Sequence, residues 1–372
     1  MELEFIRFER LETDWKAMEG RARWAFVYWD YLRHVVRALR WNPLVRVRIA
    51  CVLEEGDVLM ILPLVRRKRC PVRPGMTRTV PGMTKGVPVK PKGVPGRPVW
   101  RMLGDIPGCD IADALFRPDA DPEKRGECVR FVLDRLGGKL ELNRIPGGSP
   151  FLAAIPPERI VTDQTITYVN IPIPERWEDY VPSLSANARQ NVRKAYRRME
   201  KDGVECRLEL YAPVCRPLPK AVWREMMRTY CRRRTAKYRK GVFSDETKGG
   251  IVVQTLKYLH YITLKCLWFR TKHDSRSLRT EPFALHFVLW AGDRMMAYMS
   301  GFLTADYATY SVPRIAINED YAFYSPGCIL VAETVRCLSG SSVRNLDLSR
   351  GDEPYKFKMG GEAYCTHDLV IR

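Results

Sequence analysis

The sequence predicts an α/β chain of the α+β type, in which two halves repeat one order of elements. Each half is expected to be a mixed, mostly antiparallel sheet flanked by helices. Three observations predict this. Segments of period-two alternation pair through Gly-containing turns. Each such set is followed by one amphipathic helix and then one more strand. The same order occurs twice in 372 residues, a length that accommodates two domains. The halves are expected at residues 1–165 and 166–372.

In the first half, strand-like residues at the start give way to helical patterning through Trp24, Tyr28, Tyr31, Leu32, Val35 and Leu39. Val45, Val47 and Ile49 then alternate with Arg46 and Arg48, the signature of a half-buried strand. Glu55-Gly56-Asp57 turns the chain into a second strand, Val58 to Val65. A third strand is expected around Asp110 to Phe116. The helix from Pro122 to Leu136 is stopped by Gly137-Gly138, and Lys139 to Ile145 closes the half as a strand.

The second half repeats the order. Ser185 caps a helix with Ala188, Val192, Ala195 and Met199 on one face, ended by Asp202-Gly203. Val204, Cys206, Leu208 and Leu210 alternate with charge. Helices are expected over Ala221 to Arg234 and Ile251 to Cys266. Phe283 to Trp290 and Met295 to Leu303 make a hairpin across Gly292-Asp293. A strand near Tyr307 to Ile315, a helix opened by Pro326 and a strand from Asn345 to Leu348 complete it.

One segment fits neither half. Within 66–100, Pro74, Pro81, Pro88 and Pro95 recur every seven residues, and Pro-Gly-Met-Thr and Lys-Gly-Val-Pro each occur twice. So much Pro and Gly excludes a helix or an inner strand. The segment reads as an inserted surface loop, with a basic arm or a structured short repeat as alternatives.

Composition bounds the function classes. Hydrophobic residues make up 46% of the chain, which excludes a disordered protein. No 18-residue apolar stretch is free of charge. Ile251 to Phe269 comes nearest but contains Gln254, Lys257, His260 and Lys265, so it reads as a buried amphipathic helix. The start lacks a basic-then-apolar leader, and a cytosolic (cytoplasmic) location is expected. Eleven cysteines with no Cys-x-x-Cys pair read as reduced thiols. Cys365-x-His367 offers two ligands without a second pair, so no metal is expected.

The net charge of +19 is local. Arg66 to Trp100 holds ten basic and no acidic residues, Arg189 to Lys201 six and one, and Arg224 to Lys240 eight and one. Outside these runs the chain is slightly acidic. Clustered charge points to a polyanionic partner: coenzyme A, tRNA, an anionic sugar or a lipid headgroup, the last allowing peripheral membrane contact.

The chemistry concentrates near the C-terminus. Tyr324-Ser325-Pro326-Gly327 opens the apolar helical run Ile329 to Leu338. Pro fits the first helical position, Ser can cap, and Gly lets a ligand approach the backbone. The free N–H groups and dipole of such a helix start make an anion site. The first half's counterpart, after Asp119, Asp121 and Glu123, would repel a pyrophosphate. About twenty residues on, a short strand runs into Asp347, Arg350, Asp352, Glu353, Tyr355 and Lys356.

Tyr-Ser-Pro-Gly, a helix, then Asp-Leu-x-x-Gly-Asp-Glu-Pro-Tyr-Lys together resemble the GNAT-type acyltransferases of the CelD-like group, associated with cellulose and exopolysaccharide biosynthesis. That group is similar in turn to Fem-type transferases, which use aminoacyl-tRNA. The resemblance implies a tandem of two GNAT-like domains, the second catalytic. It implies an N-acyltransferase with acyl-CoA as the donor and an amino sugar, amino acid or peptide as the amine. The donor would rest on Ser325, Gly327, Cys328 and Arg350. Lys356 and Tyr355 fall where the resemblance places the reaction centre, Lys356 for an oxyanion or phosphate and Tyr355 for the leaving group. Asp347 is a base or amine binder, or alternatively caps the turn through Arg350. Acceptor-side candidates are Arg193, Arg197, Arg234 and Asp352, the last also able, with Glu353, to cap the next turn. Cys328 at the helix start could have a lowered thiol pKa and accept the acyl group. His286 reads as structural. Two features depart from the pattern: the Pro-rich repeat is extra, and Ser-Pro-Gly replaces the general Arg/Gln-x-x-Gly-x-Gly/Ala donor loop. The rivals are aminoacyl transfer from tRNA and a non-catalytic scaffold in envelope polysaccharide production.

Overall fold

The alternating segments lie down as strands where their period-two pattern runs longest, and the apolar faces between them become helices. The computed structural model describes residues 1–20, 22–40, 45–67, 99–104, 109–243 and 278–372. Its first-half strands are β1 (Glu2–Ile6), β2 (Val45–Glu54), β3 (Asp57–Arg67), β4 (Val99–Met102), β5 (Leu115–Phe116), β6 (Lys139–Pro146) and β7 (Ile160–Pro172). Those of the second half are β8 (Cys206–Tyr211), β9 (Ala284–Ala291), β10 (Arg294–Leu303), β11 (Thr309–Ile317), β12 (Asn345–Arg350) and β13 (Glu362–Ile371). The helices are α1 (Glu12–Glu19), α2 (Trp29–Leu39), α3 (Pro122–Leu136), α4 (Pro150–Ala153), α5 (Trp177–Ser183), α6 (Ala186–Lys201), α7 (Lys220–Phe243), α8 (Pro326–Leu338) and α9 (Pro354–Lys358).

All strands form one sheet in the order β1-β2-β3-β4-β6-β13-β7-β12-β11-β10-β9-β8, with β5 beside β3. In the first half, antiparallel β1 to β4 are followed by the crossover helix α3 and by β6, parallel to β4. In the second half, antiparallel β8 to β11 are followed by α8 and by β12, parallel to β11. The fold is therefore a tandem of two GNAT-like units. Each half's last strand has crossed to the other half. β7 pairs with β12, β13 pairs with β6, and the two exchanged strands pair with each other from Glu362↔Asn170 to Ile371↔Ile160. Residue 165, the expected domain boundary, lies within β7.

One face of the sheet is covered by α1, α2 and α7 across both halves, with Trp15, Tyr31, Tyr168, Tyr298 and Phe302 fully buried in the shared core. On the other face, Val129 and Val132 of α3 cover the first half. There α6 and α8 cover the second half through Val192, Met199, Leu330 and Val335. The α2 region of the first half reaches over the second half. Phe26 and Tyr31 pack edge-on against Phe302, and Arg33 and His34 both meet the buried carboxylate of Glu281. Burial alone would raise the Glu281 carboxyl, but His34 and Arg33 hold it below its ordinary value.

Several expectations need correction. The third strand is not Asp110 to Phe116. Instead β4 forms at Val99–Met102, at the end of the Pro-rich stretch, and only Leu115–Phe116 pairs, with β3. Asp113 is turned out of any ladder, because its carboxylate takes the Ala114 N–H and the Ser149 hydroxyl. β7 and β13 were not anticipated at all. Ser185 does cap α6, through the Ala188 N–H at 3.3 Å. The helix expected over 251–266, most of the Pro-rich repeat, and the side chains of 234–243, including Arg234, lie outside the described residues.

At Gly301 the strands β10 and β11 approach so closely that a Cβ would fall inside the van der Waals radius of the Ser311 carbonyl oxygen. Gly301→Ala should therefore cost about 1–3 kcal/mol by overpacking. It would be read as a lower urea midpoint at unchanged m. Wild-type stability would mean the two strands part freely here.

Candidate active site

The site is built where β11 and β12 part. Their parallel pairing ends at Ser311↔Asp347, while β11 runs on to Ile317 and β12 to Arg350. Asp347 thus sits at the base of a fork. At its open end lies the start of α8, since a Cβ on Gly327 would touch Ile317 Cγ2 at 3.5 Å. Pro326 has no N–H to give, and the Gly327 N–H has no hydrogen-bond partner among the described residues. Ser325 has φ of 51° and makes no side-chain cap, so the expected Ser cap is absent and the helix start stays open. A left-handed Ser is uncommon and here turns the preceding 3₁₀ segment, Glu319–Tyr324, into α8.

Asp347 is 3% exposed and engaged on both carboxylate oxygens. One carboxylate oxygen accepts from the Ser349 N–H at 2.8 Å. The other accepts from Ser311 Oγ at 3.2 Å and Tyr364 Oη at 3.0 Å. Burial pushes its carboxyl above the ordinary value, against those donors. Burial likewise raises the Tyr364 phenol, with Asp347 adding to it, so the phenol keeps its proton. No pairing with Arg350 caps the turn. The turn is instead a bulge at Ser349, with φ of 56°, which throws Arg350 to the surface.

Lys356 is 3% exposed, and its ammonium faces inward. It donates to the carbonyls of Ser349 (3.3 Å), Arg350 (2.9 Å) and Gly351 (3.1 Å), and pairs with Glu353 at 3.1 Å. An ammonium has three donors, so none is left to point into the fork. Gly351, at φ of 112°, has no room for a side chain beside the Glu353 carboxylate. Tyr355 is half-buried, and its phenol is raised to about 12 by burial with help from Glu353, against the charge of Arg233 on α7. Cys328 lies within electrostatic reach of both Tyr355 and Lys358. Burial pushes its thiol up, and Lys358 only partly offsets this, contrary to the lowered pKa expected at a helix start.

The basic helix α6 borders the cradle. Arg198 donates to the Phe323 carbonyl at 2.8 Å with its guanidinium 4.4 Å from that ring, and Tyr324 Oη donates to Asp202 at 2.9 Å. Arg193 and Arg197 on the same helix are exposed, as is Asp352. His286 is buried, with Nδ1 2.9 Å from Ser300 Oγ. Cys365 and His367 are 3.7 Å apart, with His367 turned to Asp163. No cluster of three metal-ligating side chains occurs among the described residues. Sequence reasoning missed Ser311 and Tyr364. Only Tyr364 left a signal, in the alternating aromatic and β-branched run of β13.

These elements match known proteins. Residues 309–357, spanning β11, α8, β12 and most of α9, match the family described as Acetyltransferase (GNAT) domain. No curated protein matches the chain. Among solved structures it is similar to a conserved protein of unknown function from Bacteroides thetaiotaomicron VPI-5482. That match has 11% identity, 100% and 99% of the two chains covered, and a TM-score of 0.49. It is also similar to a tandem GNAT protein from the clavulanic acid biosynthesis pathway (13%, 99% and 97%, 0.40) and to FemX (11%, 99% and 97%, 0.40). No helix among the described residues is long and apolar enough to cross a membrane.

Two outcomes are expected. Lys356→Met should lower stability by about 1–3 kcal/mol, because it strands three carbonyls; urea unfolding checks it, and an unchanged midpoint would show the ammonium is dispensable to the loop. Burial lowers the His286 pKa to about 4, so its neutral form stabilises the fold fully above the unfolded value near 6.5. That contribution should disappear as pH falls from there to about 4. A His286→Gln variant should lose this part of the wild-type acid sensitivity, measured as the difference between their stability–pH curves.

Proposed function

We propose that the protein is a cytosolic N-acyltransferase that moves an acyl group from an acyl thioester, an acyl-CoA, to the amine of an amino acid, amino sugar or peptide. The observation that carries this reading is the fork of β11 and β12 with the open start of α8 at its mouth. An extended thioester fits between parting strands, and a phosphate fits the free Gly327 N–H at the positive end of the helix dipole. The residues present fit coenzyme A: Gly327 leaves the approach open, α6 lines one border with exposed arginines, and no acidic side chain stands in the first turn of α8.

In the transfer, the amine nitrogen forms the new C–N bond as the C–S bond breaks. The thiolate must gain a proton and the ammonium must lose one. Tyr355, within electrostatic reach of Cys328 and held protonated, supplies the thiolate in this reading. Asp347, with Tyr364 and Ser311 around it, is the group at the fork's base that orients the amine and takes its proton. We assign Lys356 a positioning role, since its donors fix the 349–351 loop that carries the bulge.

A second reading, aminoacyl transfer from tRNA, is favoured by the exposed Arg193, Lys194 and Arg197 of α6 beside the cradle. Such a partner would bind through many phosphates, with steep salt dependence.

Calorimetric titration of nucleic-acid-free protein with CoA and several acyl-CoAs tests the proposal, with Gly327→Glu as the comparison. A side chain fits at 327, since Ile317 Cγ2 lies at ordinary contact distance, so the variant should fold. It should bind acyl-CoA at least about tenfold more weakly, as expected when a carboxylate replaces a backbone anion site. No thioester binding at low or moderate salt would refute the acyl-CoA reading, and salt-sensitive binding of charged tRNA would then establish the rival.

A further inference from the structure

A second concavity lies on the first half, away from the α8 cradle. It has a volume of about 620 Å³ and is bounded by the α1–α2 connection, the segment around β5, the chain after β6 and the middle of β13. Its size falls within the range of small-molecule sites. It occupies the region beyond the last β4–β6 pair, Arg101↔Glu141, where the first half's own parallel strands part. The walls are largely apolar and aromatic, with Trp24, Phe116, Val27 and Leu115 among them.

Two polar groups in this lining lack partners. Asp113 accepts from Ser149 Oγ at 2.6 Å and the Ala114 N–H at 2.8 Å, both on Oδ1, and Oδ2 has no partner among the described residues. Arg125 lies over the Phe116 ring at 5.9 Å. Its Nε is buried and unpartnered, and its guanidinium pairs with no carboxylate among the described residues. A guanidinium with no carboxylate partner, buried at Nε alone, and a carboxylate bonded on one oxygen therefore line one largely apolar cavity. A ligand that brings an anion to one and a donor to the other matches both.

The cavity also reaches the reaction centre. Tyr364 lines it, with Trp24 stacked on its ring at 6.5 Å between centroids, and its hydroxyl donates to Asp347 at 3.0 Å. A molecule held against Tyr364 is one side chain away from the base of the donor fork.

We infer that this cavity binds an α-amino acid with an apolar side chain, its carboxylate on Arg125 and its amine within reach of Asp113 and Tyr364, as the acceptor of the transfer. The word acceptor rests on the acyltransfer reading; the binding does not. An amino sugar matches the site poorly, because its hydroxyls would face the apolar walls and it brings no anion for Arg125. Burial raises the Asp113 carboxyl to about 7, against the Ser149 and Ala114 donors.

Calorimetry with L-leucine and L-phenylalanine, their amides, and glucosamine tests the assignment. The proteins are wild type, Arg125→Gln, Arg125→Lys and Gly327→Glu. Wild type should bind each acid at least tenfold more tightly than its amide. Arg125→Gln should abolish that preference, Arg125→Lys should restore part of it, and Gly327→Glu should keep it whole. A CoA titration and an unfolding midpoint on each Arg125 variant report whether it has folded. Equal affinity for acid and amide, preference for glucosamine, or no amino-acid binding by a wild type that binds CoA would overturn the inference and leave the acyltransfer reading standing. Amino-acid binding with the expected preference, in a protein that binds no thioester, would uphold the cavity and remove only the donor.

Discussion

The exchange of β7 and β13 is the constraint on which the rest of this structure depends. Each half builds its crossover helix and its parallel pair from local sequence, but each closes its sheet with the other's last strand. The joined strands run antiparallel from Glu362↔Asn170 to Ile371↔Ile160 in the middle of the sheet. Separating the halves would break three strand pairings and leave unpaired backbone groups on β6, β7, β12 and β13, which must then be hydrated or left unpaired. One sheet and a core shared across one face follow directly.

The same exchange assembles the site. Tyr364 belongs to the strand that leaves the second half, yet it returns to Asp347 because β13 lies beside β7 and β7 beside β12. Its neighbour Cys365 accepts the Gly147 N–H through its backbone carbonyl, tying the chain after β6 to the same strand. The β11–β12 fork and the first-half cavity therefore share a wall, and neither half alone contains both. The α2 contacts act in the same sense. Glu281 is held ionised by Arg33 and His34 from the opposite half, so parting the halves would strand a buried carboxylate.

Inside the fork, charge is used to hold backbone. The Lys356 ammonium binds three carbonyls of one loop, and the Asp347 carboxylate holds the N–H of the left-handed Ser349. These bonds fix the bulge that stops β12 from following β11, and so keep the fork open. Such a loop is rigid because the low-dielectric surroundings make each unmade bond expensive.

The local elements were legible in the sequence alone. Val45 to Ile49 alternates, Ser185 caps, Pro122 starts and Gly137 stops a helix, all through interactions within a few residues. Pro326-Gly327 marks the start of α8 in the same way, and Asp347 to Lys356 the strand end and loop after it. What these residues face is set by tertiary packing. The ammonium of Lys356 turns inward because three carbonyls close around it, and the Cys328 thiol is raised because neighbours bury it. β7 and β13 escape a local reading because their partners lie in the other half, and β7 is exposed over 161–165, with no buried face there to impose a period of two. Asp113 and Arg125 carry no motif at all. Their meeting in one cavity depends on β13 lying beside β6, a pairing between residues more than two hundred positions apart that no local pattern encodes.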